Sequence, residues 1–210
     1  MPNHRLVTLL SAVAIATTAG LAVPSPARAE DDQEYTIESY CIVVPPGAEC
    51  LSDTGSPGHP PPTPVVHLCL QPVDESTEQG AAIVQQPCRE GKGGPIPAQG
   101  WTRQPPSGNI FHLKNSKSGL CLDARGGAAN GTPVQQWTCN NISNENWQTG
   151  KPRNQLPPRY PSLISRVSGT SSHCLDMPGA DPAVGNTMQI YRCNDSVAQD
   201  WNQRPVFPEG

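Results

Sequence analysis

Cys121-Leu122-Asp123, then Gln135-Gln136-Trp137-Thr138-Cys139, then Glu145-Asn146-Trp147: this stretch recurs along the chain and decides how it is read. Downstream it returns as Cys174-Leu175-Asp176, Gln189-Ile190-Tyr191-Arg192-Cys193 and Gln199-Asp200-Trp201. Upstream a worn copy runs Cys69-Leu70-Gln71, Gln85-Gln86-Pro87-Cys88 and Gln99-Gly100-Trp101. The leading cysteines stand at 69, 121 and 174, which are 52 and 53 residues apart. Self-similarity at a fixed period of this size marks a repeat architecture, in which each unit buries its apolar face only against its neighbours.

Within the units, residues 110–113 and 163–167 alternate imperfectly between apolar and polar and stop at Gly/Ser turns, as short strands do. Residues 120–122 and 134–137 are further short apolar strands, separated by the Gly-rich 125–131. Outside the first thirty residues no segment carries a helical apolar period of useful length. An all-β fold follows, closed or sandwiched so that edges are not left free. An approximate threefold arrangement would let Trp101, Trp147 and Trp201 meet in one core.

The same spacing organises the eight cysteines. Local pairing gives Cys69–Cys88, Cys121–Cys139 and Cys174–Cys193, and leaves Cys41–Cys50. Each of the long loops is worth about 3 kcal/mol in the chain-entropy account. No C-x-x-C occurs and no Cys/His set has ligand spacing, so neither a metal nor another cofactor is expected. Disulfides imply an oxidising compartment, and the N-terminus agrees. His4 and Arg5 precede an Ala/Thr-rich apolar run over 6–23, Pro24-Ser25-Pro26 breaks it, and Ala27-Arg28-Ala29 offers the small residues of a cleavage site. Residues 1–29 therefore read as a secretory signal peptide and the protein as secreted and extracellular, without membrane insertion.

Residues 30–64 form an irregular Pro-rich tail holding the Cys41–Cys50 loop and an extended spacer over 55–64, with room for one strand over 35–44 set against the repeats or a partner. The repeats fill 65–205, at about 65–104, 109–149 and 162–204; 151–161 is an inter-repeat loop and 206–210 a C-terminal tail. Much of the composition, 25 Pro and 19 Gly in 210 residues, is thus assigned to the tail and loops. A formal net charge of −4 without basic clusters argues against nucleic acid as a partner.

Three C-L-D/Q copies, a Q-x-W/Y-x-C strand and a closing Q-x-W in register with three Cys pairs resemble the ricin-type B lectin (QxW) family. That resemblance implies a β-trefoil with one sugar pocket per repeat. The Asp of C-L-D would accept two sugar hydroxyls, and the aromatic two residues before the second Cys would stack on the sugar's apolar face. Carried over, the carbohydrate-binding residues are Asp123, Gln135, Trp137, Asn140 and Asn144 in the middle repeat. In the third they are Asp176, Gln189, Tyr191, Asn194 and Gln199. The middle repeat departs at Glu145, where the family's Gln orients the Asp; two carboxylates repel, so Glu145 is expected to turn away. The third departs at Ala198, which stands where the family has Asn. Gln71 and Gln86 leave the first pocket without acid or plate.

The chemistry suits the resemblance, since a sugar offers a C–H face to an aromatic and an edge of hydroxyls to charged acceptors. Glycans or polysaccharides are the expected partners, bound through the middle repeat and secondarily the third. No carboxylate pair faces a common bond as a glycosidase requires, and no enzyme activity is expected. The layout also resembles some bacterial toxin subunits, including those of cytolethal distending toxins. The alternative is therefore a binding subunit of a secreted complex that uses a degenerate lectin fold against a protein partner.

Overall fold

Short runs of β-formers between Gly and Pro turns become strands where cross-strand pairing and one buried face stabilise them together. The structure, a computed structural model, describes residues 33–44, 47–49, 66–91, 94–107, 109–151 and 160–207. Its strands are β1 (Glu34–Val44), β2 (Gly47–Glu49), β3 (Val66–Pro72), β4 (Ile83–Pro87), β5 (Glu90–Gly91), β6 (Gly94–Pro95) and β7 (Trp101–Ser107). There follow β8 (Ile110–Asn115), β9 (Cys121–Ala124), β10 (Thr132–Trp137) and β11 (Trp147–Thr149). The last unit holds β12 (Leu163–Ser165), β13 (His173–Asp176), β14 (Gln189–Arg192) and β15 (Trp201–Pro205).

Two layers result. Antiparallel pairing runs from β15 to β1, β7, β8, β11 and β12. The ring closes through the Trp201 N–H, which donates to the Pro161 carbonyl at 3.4 Å. Over one end of this barrel sit the hairpins β3–β4, β9–β10 and β13–β14, one per unit. They join edge to edge through Ala82 with Gln135, Thr132 with Ile190, and Val84 with Thr187. The chain is an all-β β-trefoil.

On sequence β1 falls in the tail, as one strand set against the repeats or a partner. It pairs with β3, β7 and β15, and so occupies in the first unit the place that β8 and β12 occupy in theirs. The strand set therefore begins at Glu34 rather than near Val65. The signal peptide, Cys50 and hence the Cys41–Cys50 bridge, the spacer 55–64 and most of the loop 151–161 lie outside the described residues.

The core is built around the three closing tryptophans, all fully buried. A buried indole N–H must find an acceptor, and each finds the same one. Trp101 Nε1 donates to the Leu70 carbonyl at 3.1 Å, Trp147 to Leu122 at 2.9 Å, and Trp201 to Leu175 at 2.9 Å. Those leucines are the middle residues of the three C-L-x tripeptides and are themselves fully buried. Disulfides link Cys69–Cys88, Cys121–Cys139 and Cys174–Cys193, with Cα–Cα distances of 4.9, 5.2 and 5.1 Å. Two residues past each tryptophan lie Arg103, Thr149 and Gln203, which meet through the Arg103 guanidinium. That guanidinium also lies 4.9 Å from the Tyr35 ring centroid and 4.3 Å from that of Phe111, a cation–π arrangement.

Trp147→Phe leaves the Leu122 carbonyl without its donor and opens a void, so it is expected to cost about 2–4 kcal/mol in urea unfolding. A cost near zero would mean that the indole bond does not hold the middle hairpin to the barrel.

Candidate functional site

The third unit places its residues by strand register. Asp176 pairs across with Gln189, and Tyr191 lies two residues further on the same face of β14. Gln189 Nε2 donates to Asp176 Oδ1 at 2.7 Å, and Gln199 Nε2 donates to Oδ2 at 2.9 Å. Gln199 also donates to the Arg192 carbonyl at 3.1 Å and accepts the Asn194 N–H at 2.9 Å. One fully buried amide thus ties the acid to the loop after Cys193. Each carboxylate oxygen keeps a lone pair, since an ionised carboxylate has about four acceptor positions.

Over this arrangement opens a cleft of about 390 Å³. Asp176, Gln189, Tyr191 and Asn194 line it; Gln199 lies beneath and acts through Asp176. Tyr191 is 38% exposed, while Asp176 is 5% exposed. Burial pushes the Asp176 carboxyl above its ordinary range, against the pull of the Gln189 and Gln199 donors. Ala198 fills its place in the wall with a methyl. Sequence reading missed the facing wall, Met177, Gly179 and Ala180, where Gly179 and Ala180 sit at φ 68° and 52°. The Pro178-Gly179 pair after C-L-D-Met was the available signal for that turn.

The middle unit brings together the same parts with one exchange. Gln135 Nε2 donates to Asp123 Oδ1 at 2.8 Å. Glu145 is fully buried, and its carboxylate accepts the Asn140 N–H at 3.1 Å and the Asn141 N–H at 3.1 Å. It turns to the loop, as Gln199 does, but a carboxylate has no N–H to give Asp123. Burial raises the Asp123 carboxyl, the Gln135 bond lowers it, and the charge of Glu145 raises it further. Asp123 is 2% exposed, Trp137 and Asn144 are half-buried, and Asn140 is exposed.

The first unit keeps the scaffold with Gln71 at the position of the acid and Gln86 at that of the aromatic. Gln99 Nε2 donates to Gln71 Oε1 at 2.8 Å and to the Pro87 carbonyl at 2.9 Å, and its Oε1 accepts the Arg89 N–H at 2.8 Å. Its turn Val73–Glu75 corresponds to Pro178–Ala180, so Glu75 stands where Ala180 lines the third cleft. Glu75 there pairs with Arg89 and, at 3.1 Å, with Lys117; both cations hold its carboxyl below the usual range. These pairs are exposed and contribute little to stability.

Two clusters have metal-like proximity, Glu38 with Cys69 and Cys88, and His112 with Cys121 and Glu145. The sulfurs in both are disulfide-bonded and offer no thiolate. His112 Nε2 instead lies 2.8 Å from Asn146 Oδ1. Among the described residues no helix is long and apolar enough to cross a membrane.

The family model of the ricin-type beta-trefoil lectin domain matches residues 64–159. No curated protein sequence matches the chain. Among solved structures, the designed 3-fold symmetric protein ThreeFoil is 19% identical, with a TM-score of 0.59 over 81% of this chain and 97% of its own. The Rhizoctonia solani agglutinin is 16% identical, with a TM-score of 0.58 over 89% and 99%. The Macrolepiota procera ricin B-like lectin, solved with lactose, is 18% identical, with a TM-score of 0.55 over 83% and 96%.

Glu145→Gln supplies the N–H that Asp123 lacks and removes the neighbouring charge. Both changes favour the ionised acid, so the Asp123 titration, followed by NMR of its side-chain carboxyl, is expected to move down. No movement would show that Glu145 and Asp123 are uncoupled.

Proposed function

From a chain whose residues 64–159 belong to the ricin-type β-trefoil lectin family, we propose a secreted carbohydrate-binding protein that holds glycans at two of its three units. Family and neighbours support a binding module and carbohydrate binding in general. The assignment to particular units rests on the site chemistry.

The third unit is the primary site in this proposal. The observation that carries it is the doubly braced Asp176 beside the exposed Tyr191 in an open cleft. Two fixed amides hold the carboxylate, so it accepts a pair of adjacent hydroxyls without first losing side-chain entropy. The phenol ring offers a face for the sugar's C–H groups. The middle unit has the larger plate, Trp137, and Asn144 in addition, but its acid is braced once and carries a second charge behind it. The middle unit matches more of the family pattern, and the third is placed first in this proposal because it is better organised electrostatically. Two shallow sites on one rigid body act together on a branched or clustered glycan.

A glycan array on the secreted chain tests this, with Asp176→Asn and Asp123→Asn as variants. Loss of a charged acceptor costs about 1.5–3 kcal/mol, roughly 10- to 100-fold in affinity. Asp176→Asn is expected to show the larger loss. An array with no bound glycan would sink the lectin reading and favour the binding-subunit alternative, which a pull-down of a stable protein partner would then display.

Acid should separate binding from stability. The Asp176 carboxylate must be ionised to accept two hydroxyls, and its pKa is raised. Binding is therefore expected to fall as pH drops through a value above the ~4 of an ordinary Asp. Folding responds oppositely at this group: its folded pKa exceeds the unfolded one, so ionisation costs stability and protonation relieves that cost. Isothermal titration beside thermal unfolding across the same pH series would show both. Binding that persists unchanged to pH 4 would remove Asp176 from the site.

A further inference from the structure

The hairpin turn of each unit clips onto the plate-bearing strand of the next. In the first unit the turn over 76–82 grips residues 136–138. The Gly80 N–H donates to the Gln136 carbonyl at 2.8 Å, and the Gln136 N–H donates to the Ala81 carbonyl at 2.9 Å. The fully buried Gln136 side chain donates to the Ser76 and Glu78 carbonyls, both at 2.9 Å. On the other side of Trp137, the Thr138 hydroxyl donates to Gln79 Oε1 at 2.6 Å. Gly80 adopts φ +85°, and a Cβ placed there would lie 3.6 Å from Trp137 Cζ3. There is room for a methyl group, so the backbone conformation is what requires glycine.

The device recurs around the threefold. Gly131, at φ +82°, donates to the Ile190 carbonyl at 3.0 Å while Asn130 Oδ1 accepts the Arg192 N–H at 2.8 Å, bracketing Tyr191. Gly185, at φ +86°, donates to the Gln85 carbonyl at 2.8 Å next to Gln86. In two of the three places the bracketed residue is the aromatic plate of a site.

We propose that Gln79 and Gly80 are positioning residues for the middle site, holding the Trp137 ring from the neighbouring unit. The first unit, with neither acid nor plate of its own, is then a structural half of its neighbour's site. What the plate binds rests on the lectin reading; where the plate is held does not.

Acrylamide quenching of tryptophan fluorescence on the full chain tests the proposal without any sugar. Trp101, Trp147 and Trp201 are fully buried, so the accessible signal belongs to Trp137, and Trp137→Phe verifies this. Ala at a positive φ strains the turn, so Gly80→Ala is expected to raise the quenching slope about twofold. Gly131→Ala imposes the same strain beside Tyr191 and should leave the slope unchanged. Gln79→Ala removes one bond without backbone strain and should raise the slope in the same direction by less. An unchanged slope in Gly80→Ala and Gln79→Ala, or an equal rise in Gly131→Ala, overturns the proposal. A glycan array on the parent chain decides the lectin reading separately, and its failure would leave the quenching result standing.

Discussion

Everything in this trefoil depends on one hydrogen bond made three times: the closing tryptophan's indole N–H to the carbonyl of the leucine in C-L-x. In an interior without water, an unpaired indole or carbonyl would cost more than the bond gains. The bond therefore decides how each cap hairpin seats on its barrel strand. The residue that follows that leucine is Gln71, Asp123 or Asp176. In the middle and third units the core anchor and the acid of the proposed site are covalent neighbours, so the packing that stabilises the fold also places the carboxylates.

Around that anchor the three units make one set of connections with different end groups. The side chain two residues before each closing tryptophan reaches the loop after the second cysteine in all three units. Where it is Gln, as at 99 and 199, it also donates to the C-L-x terminal residue. Where it is Glu, at 145, that second arm becomes a repulsion. One amide-to-carboxylate exchange thus separates two sites of otherwise similar composition, and in the first unit the exchange of Asp for Gln71 makes the same bridge neutral.

The repeat, three of the four staples and the pairing of Asp123 with Gln135 and Asp176 with Gln189 were legible because they are local and periodic. The strand β1 was legible as a strand but not as a member of the first unit, because its partners β15, β7 and β3 are distant in sequence and β1 itself carries no copy of the repeat's motifs. The Glu145 exchange was visible, whereas the destination of its carboxylate was not, since backbone N–H groups have no signature in side-chain identity. The sequence order of the two sites follows the number of matching residues; the proposed order rests on bracing and charge, which residue identity does not display. Gly131 belongs on sequence to the Gly-rich separator 125–131 and Gly80 carries no motif; their contacts with the next unit exist only once the threefold is closed.

The most direct measurement is an NMR titration of the ¹⁵N-labelled chain with the strongest glycan from an array, followed through the backbone amides. The account predicts the first and largest shifts at Asp176, Tyr191 and Asn194, with Asp123 and Trp137 responding at higher sugar concentration. Shifts confined to the first unit, or none at any residue around Asp176, would contradict it.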